Sequence, residues 1–315
     1  MKFISFFFYL KKTKKYDIIR LHIGVGIMKE IALKESDISR LKKYPLDGII
    51  STESEIYYYK KGPDWNNSYL LKRLYRTDEK RVYRKIRTIE ELHRSELSTY
   101  PELVLPEEVV TIQGIQSGFT IKEVTDCINL HMFLEDRKIS TEDKLKVLRK
   151  IGKLLRKIQA SDQEFYFGDL QEYNFLVNKN KDIFAVDLDS SATTGTKPLE
   201  TKYIVIDKKT HPIAKYKVNK AGRCYPNRNI DTFCYNTLVM NYLSGTELHK
   251  LSYSEYYNYL NYLDDCKLPK ELIDILINHY TDKRNESILD YIKELPKDYG
   301  RIHYGVYKAL QKQKR

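Results

Sequence analysis

The first half of the chain carries short runs of β-branched and aromatic residues separated by polar turns, and this pattern predicts a small β-sheet. Residues 47–62 (DGIISTESEIYYYKKG) predict two strands, and SYLLKRLY, after the turn GPDWNN, predicts a third. Residues 78–97 have apolar side chains at helical spacing, so we expect a helix next. LPEEVVTIQG and SGFTIKEVTD then predict two more strands, which gives the order β-β-β-α-β-β.

The second half of the chain has the periodicity of helices. Residues 140–159 (STEDKLKVLRKIGKLLRKIQ) show it most clearly, with Ser140 and Asp143 as the capping start and an apolar stripe opposite a basic face. DTFCYNTLVMNYL and KELIDILINHY predict later helices. We therefore expect an α+β fold, in which a small antiparallel β-sheet lobe with one helix (residues 28–125) precedes a larger, mainly helical lobe (residues 126–315).

The first 27 residues follow neither pattern. Their apolar run, Phe3 to Leu10, is far shorter than the ~20 residues that span a bilayer, and no clear small-residue cleavage site follows it. The next methionine, Met28, opens a segment that has the character of an ordinary domain start. We expect residues 1–27 to be an N-terminal extension that begins at a start codon upstream of the native one, with an interfacial anchor as the alternative, and we expect no membrane span.

The composition of the 315-residue chain narrows the classes of function. The formal net charge is +12, but Lys and Arg are spread along the sequence, which favours solvated faces over a nucleic-acid interface. The four cysteines form no C-x-x-C pair and indicate neither a zinc site nor a disulfide framework, so a reduced, cytoplasmic setting fits best. The sequence has no G-x-x-x-x-G-K-[ST], G-x-S-x-G or H-E-x-x-H motif, which argues against P-loop enzymes, α/β-hydrolases and zinc proteases.

Residues 165–191 (FYFGDLQEYNFLVNKNKDIFAVDLDSS) contain the motif that points to a chemistry. Two apolar runs flank the turn NKNKD and predict a hairpin inside the helical lobe. Asp169 and Asn174 precede the first strand and Asp187 follows the second, so the hairpin is expected to gather all three at its open end. One carboxylate there can accept the proton of an attacking hydroxyl, and the other, with an amide oxygen, suits Mg²⁺. Such a set favours phosphoryl transfer, which depends on positioning and charge neutralisation.

G-D-L-Q-E-Y-N resembles the catalytic loop of the protein-kinase-like superfamily, which reads H-R-D-x-x-x-x-N in protein kinases and H-G-D-x-x-x-x-N in aminoglycoside and choline kinases. V-D-L-D resembles the D-F-G segment, or the I-D-x-D variant of the small-molecule kinases. The resemblance implies a bilobal protein-kinase-like fold, with a nucleotide-binding N-lobe (residues 28–125) and a catalytic and substrate-binding C-lobe (residues 126–315). It implies ATP and Mg²⁺ as cofactors, Asp169 as the catalytic base, and Asn174 and Asp187 as metal ligands.

The same resemblance assigns roles to residues of the first half. Lys72 in SYLLKRLY matches the strand lysine that holds the α- and β-phosphates. The helix that follows should supply a glutamate to pair with Lys72; Glu91 fits best, and Glu90 is a rival that helical phase does not exclude. FTIKEVT resembles the connector between the lobes, so backbone groups of Glu123 and Val124 are expected to meet the adenine.

Several positions depart from the family pattern. Phe167 stands in place of the family's His; it can fill the same volume but cannot make the same hydrogen bonds. Gly168 replaces the Arg of H-R-D and implies activity without a phosphorylation switch. The stretch 47–59 has one glycine where protein kinases have three, so residues 51–54 are expected to cover the phosphates. Asp231 matches the start of the helix that braces the catalytic loop, or is only an N-cap, and Asp189 is expected to be a loop or capping carboxylate.

The resemblance leaves three functions open. The long segment between Asp187 and Asp231 favours an ATP- and Mg²⁺-dependent kinase that phosphorylates serine or threonine of a protein. G-D-L and V-D-L-D favour the alternative, a small-molecule kinase of the aminoglycoside or choline type. Phe167 and the glycine-poor loop favour a pseudokinase that acts as an interaction module, although the intact acids and amide argue against it. The expected partner is therefore a protein or small-molecule hydroxyl substrate.

Overall fold

The structure is a computed structural model of the 315-residue chain. It describes most of the chain between Met28 and Asp265, in these ranges: 28–45, 53–60, 68–75, 79–161, 164–193, 230–245, 247 and 251–265. The N-terminal extension, the first strand of the segment 47–62, and the helix KELIDILINHY lie outside the described residues.

The described part of the first half is built on a five-stranded sheet. Its strands are β1 Lys29–Leu33, β2 Ser54–Lys60, β3 Ser68–Leu74, β4 Pro106–Ile112 and β5 Ile115–Lys122. The spatial order is β1-β4-β5-β3-β2. Adjacent strands from β4 to β2 pair antiparallel, so the strands predicted for these segments are present. The fold as a whole is mixed α+β.

The expectation of a purely antiparallel sheet is wrong at one edge. β1 runs parallel to β4, with Ile31 opposite Val110. Parallel neighbours need a long crossover, and here β2, β3 and helices lie between the two strands in sequence. The segment KEIAL escaped prediction because it is short, largely exposed and far in sequence from the edge that it joins.

Helices cover the two faces of the sheet differently. α2, Glu79–His93, buries Val82, Ile86, Ile89 and Leu92 against one face, as its periodicity predicted. α1, Glu35–Ile38, contributes Ile38 to a small separate cluster that includes Leu71. Because side chains alternate along a strand, the residue after Leu71, which is Lys72, points to the face that α2 covers.

The described part of the second half is mainly helical around two small strand groups. The helices are α3 Leu130–Glu135, α4 Thr141–Gln159, α5 Ile230–Ser244 and α6 Tyr253–Asp265. The strands are β6 Cys127–Asn129, β7 Phe165–Tyr166, β8 Phe175–Asn178, β9 Ile183–Ala185 and β10 Ala192–Thr193. β8 and β9 form the predicted hairpin, β6 pairs with β8, and β7 pairs with β10. No helix among the described residues is both long and apolar enough to cross a bilayer.

α4 and α5 pack closely at a glycine. A Cβ atom on Gly152 would lie 2.6 Å from the Tyr235 hydroxyl oxygen, and that hydroxyl donates to the Leu148 carbonyl at 2.9 Å. The predicted cap of α4 is present, since the Ser140 hydroxyl accepts from the Asp143 N–H. The contact at Gly152 fixes α5 against α4.

Candidate active site

The loop between β7 and β8 is closed by two amide side chains that bind Asp169. The Asn174 Nδ2 donates to the main-chain carbonyl of Asp169 at 2.9 Å and approaches its Oδ2 at 3.3 Å. The Gln171 Nε2 donates to the same Oδ2 at 2.7 Å. These donors orient the Asp169 carboxylate, which would serve as the proton acceptor.

The β8–β9 hairpin brings Asn174 and Asp187 together. Phe175 pairs with Ala185, and the next N–H, that of Val186, donates to the Asn174 carbonyl at 2.9 Å. Asp187 follows directly, in a left-handed conformation (φ 64°), and its side chain is about one-third exposed. Asp169, Asn174 and Asp187 therefore lie around one end of the hairpin.

The segment that leads into Asp169 is anchored by Asp231, which lies in the first turn of α5. One Asp231 carboxylate oxygen accepts from the Phe167 N–H at 2.7 Å and the other from the Gly168 N–H at 3.0 Å. Burial raises the pKa of Asp231 to about 7, although the two N–H donors lower it. Gly168 has φ 70°, a conformation that favours glycine. Asp231 thus ties α5 to the loop that carries Asp169.

The aromatic side chain at position 167 fills the core behind the loop. Phe167 is 6% exposed, and its ring lies 5.0 Å from that of Phe165, edge to face, and 5.9 Å from that of Phe175. The Phe167 side chain therefore supports the loop by apolar packing. The hydrogen bonds to the main-chain N–H groups of the loop come from Asp231.

Lys72 of β3 reaches from the sheet to the hairpin. It is 5% exposed, and its Nζ binds the carboxylates of Asp187 and of Asp189, the latter at 2.6 Å. Burial alone would lower the pKa of Lys72, but the two carboxylates outweigh it and raise the pKa above its usual value. These ion pairs join the two halves of the chain at the site.

Gly118 allows β5 to approach the backbone of β3 closely at Lys72. A Cβ atom at Gly118 would lie 2.1 Å from the Lys72 carbonyl oxygen, which is backbone and cannot swing away. We expect Gly118→Ala to force the strands apart and lower the free energy of unfolding by about 1–3 kcal/mol, as overpacking does. Urea unfolding measures this change, and a wild-type midpoint in the variant would contradict the close approach.

The structure does not pair Lys72 with the predicted glutamate. The Glu91 carboxylate accepts from the Arg87 Nε at 3.1 Å and from the hydroxyl of Thr193 in β10. The Oε2 of Glu90 lies 3.8 Å from the Nη2 of Arg94. The expectation of a Lys72–Glu91 pair is therefore not met, and the carboxylate that takes this place is Asp189. The reason is helical position: Glu91 lies six residues beyond Lys85, which is about 9 Å along the axis at 1.5 Å per residue.

Asp189 and Lys85 were not predicted as site residues. Asp189 is 1% exposed and binds Lys72 and, at 2.7 Å, the Nζ of Lys85 on α2. Burial would raise the pKa of Asp189, but the two lysines lower it below its usual value. The available signal was a lysine within the buried stripe of α2, between Val82 and Ile86. A lysine in such a stripe needs a buried partner.

The connector expected to meet the adenine links β5 to β6. The Glu123 N–H donates to the Ser68 carbonyl at 3.1 Å, and both Glu123 and Val124 are partly buried. This hydrogen bond places the connector at the start of β3, the strand that carries Lys72.

Asn174 and Asp187 are the groups that fit a Mg²⁺ ion. The Asn174 Nδ2 faces Asp169, so its Oδ1 is directed to the opposite side of the amide. Among the described residues, no three His, Cys, Asp or Glu side chains form a cluster able to hold a metal. Mg²⁺ in nucleotide sites is usually held by one or two carboxylates together with the phosphates, so this small set of ligands is compatible with it.

A scan against protein-family models and a search of curated protein sequences find no match to this chain.

Proposed function

We propose that this chain is an ATP- and Mg²⁺-dependent phosphotransferase with a bilobal protein-kinase-like fold. One observation carries the proposal: Lys72 of the sheet, 115 residues away in sequence, binds Asp187 of the hairpin that also holds Asp169 and Asn174. A strand lysine opposite two acids and an amide is the arrangement with which protein kinases carry out phosphoryl transfer.

The roles follow from the position of each group. Asp169, oriented by two amides, would accept the proton of the acceptor hydroxyl as that oxygen attacks the γ-phosphorus, whose bond to the β–γ bridging oxygen breaks to release ADP. Lys72 would bind the phosphates, and the backbone of Glu123 and Val124 would contact the adenine. Asn174 and Asp187 would hold Mg²⁺, which neutralises phosphate charge when bound.

Protein serine or threonine is the acceptor that we put first. The stretch from 194 to 229, between β10 and α5, has the length of a segment that docks an extended peptide, and it is rich in lysine. Its placement lies outside the described residues, so this choice rests on the sequence.

A small-molecule hydroxyl is the second candidate. Gly168 stands before Asp169 as it does in the G-D-L form of small-molecule kinases, and its positive φ suits glycine better than arginine. Asp189 is the second acid of V-D-L-D, the segment that resembles I-D-x-D of the small-molecule kinases. It is buried at the site, as a solvated loop residue would not be.

An acceptor assay distinguishes these possibilities. The full chain is incubated with labelled ATP and Mg²⁺ in separate reactions with a mixture of Ser/Thr peptides, an aminoglycoside, and choline. Labelled phosphoserine or phosphothreonine supports the protein kinase, and a labelled small molecule supports the second candidate. ATP binding without transfer to any acceptor, water included, identifies a pseudokinase, and a chain that binds no ATP overturns the proposal.

A further inference from the structure

The side chain at the centre of α2 carries a charge opposite to the one expected there. The sequence resemblance implies a glutamate of α2 beside Lys72, yet the residue of α2 that reaches the site is Lys85. Lys85 is 3% exposed, and its ammonium group donates to Asp189 at 2.7 Å and to the Ser190 hydroxyl at 2.8 Å. The link between α2 and the β3 lysine therefore passes through a carboxylate that lies between two lysines.

From this geometry we infer that Lys85 is a positioning residue of the site, which holds Asp189 and, through it, the Lys72 ammonium in the place that receives a nucleotide phosphate. The inference rests on the proposed function. It identifies a lysine of α2 as part of the phosphate-binding apparatus, a role that neither the motif nor the predicted Glu91 pairing supplies.

Lys85 is needed for charge balance among the two lysines and the two aspartates, and the third acid in contact with it, Glu53, is paired in turn with Arg81. Lys72 and Lys85 contribute two positive charges, and Asp187 and Asp189 two negative charges. If Asp187 turns to a bound cation, Lys72 keeps Asp189 as its partner, and Asp189 is held in place by Lys85. A buried carboxylate with its partner removed is strongly disfavoured, so loss of Lys85 would shift Asp189 or draw Lys72 away from the phosphates.

Lys85 also connects three separate segments at this point. Besides the loop 188–190, it contacts Glu53, just ahead of β2, at 3.2 Å, and Glu53 in turn binds Arg81 one turn earlier on α2. Residues 51–54 are the part of the chain that the sequence predicts to cover the phosphates. Lys85 thus links α2 to the loop 188–190 and to Glu53, which belongs to the segment expected to cover the phosphates.

The test compares binding of two ligands that differ only in phosphate. ATP and adenosine, both in the presence of Mg²⁺, are titrated into the full-length wild type, Lys85→Met and Lys85→Arg, and the urea unfolding of each is measured. We expect Lys85→Met to weaken ATP binding roughly 10- to 100-fold, as removal of a residue that orients a binding group does, and to leave adenosine affinity unchanged. Lys85→Arg should restore most of the ATP affinity, because it keeps the charge and can donate to Asp189.

A matched control and a charge-balanced variant complete the design. Lys80→Met removes an exposed lysine from the same helix and should bind both ligands as the wild type does. If Lys85→Met does not fold, the double variant Lys85→Met with Asp189→Asn removes one charge of each sign and should show the same selective loss of ATP affinity.

The outcomes separate the inference from the function on which it rests. Selective loss of ATP affinity, with rescue by Lys85→Arg, supports the positioning role. Equal loss of ATP and adenosine, or no loss of either, overturns it while leaving the phosphotransferase proposal standing. A wild type that binds neither ligand overturns the proposed function, and the inference with it.

Discussion

Replacing Asp169 by asparagine is expected to slow phosphoryl transfer by about 10²- to 10⁴-fold, the usual contribution of a general base. Asparagine has the same shape and keeps an oxygen that can accept from the Gln171 amide, so the loop should retain its conformation. Only the proton acceptor is lost. The rate of labelled phosphate transfer, or of ATP hydrolysis if no acceptor is found, measures the effect, and ATP affinity should remain at the wild-type value.

Asp182→Asn provides the matched control for Asp169→Asn. It makes the same chemical change at the turn of the β8–β9 hairpin, where Asp182 is exposed and pairs with Lys150. The control should retain wild-type activity. Equal activity of the Asp169→Asn variant and the wild type would show that Asp169 is not the base.

Asp231→Ala is expected to cause the largest loss of stability among changes at the site. It would leave the buried N–H groups of Phe167 and Gly168 without their acceptor. A buried donor without a partner costs roughly 1–3 kcal/mol, and the variant creates two of them. Set against a typical unfolding free energy of about 5–15 kcal/mol, this is a large fraction, and urea unfolding would reveal it.

Asp231→Asn separates the hydrogen bonds from the charge. Asparagine retains one acceptor oxygen, and the raised pKa of Asp231 indicates that the site tolerates a neutral group. We expect this variant to lose less stability than Asp231→Ala and to keep the loop in place. If both variants unfold at the wild-type midpoint, Asp231 does not anchor the loop.

The local parts of the candidate site were accessible from sequence because the hairpin is local. Asp169, Asn174 and Asp187 lie within 19 residues, and a strand–turn–strand pattern is enough to bring them to one end. The helix α4 was equally predictable, since its cap and its apolar stripe are both properties of a single segment. The hairpin and the helix depend on residues that are close together in sequence, so the pattern of polar and apolar residues predicts them directly.

The long-range parts of the structure were not accessible in the same way. Lys85 and Asp189 are separated by 104 residues, and only the packing of α2 against the loop after Asp187 reveals their ion pair. The family resemblance placed a glutamate at Glu91, whereas the phase of α2 directs that side chain to Thr193. The parallel pairing of β1 with β4 was likewise not accessible from local patterns. A strand joins the edge of a sheet that still has unpaired N–H and C=O groups, and here that edge belongs to a strand distant in sequence.

The Mg²⁺ dependence of ATP binding, compared between the wild type and Asp187→Asn by calorimetric titration, tests the phosphotransferase site most directly. We expect Mg²⁺ to raise the ATP affinity of the wild type and to have little effect on the variant, because the amide that replaces the Asp187 carboxylate removes the charged ligand. An ATP affinity that does not respond to Mg²⁺ in the wild type, or that responds equally in both proteins, would contradict a nucleotide–metal site at this hairpin.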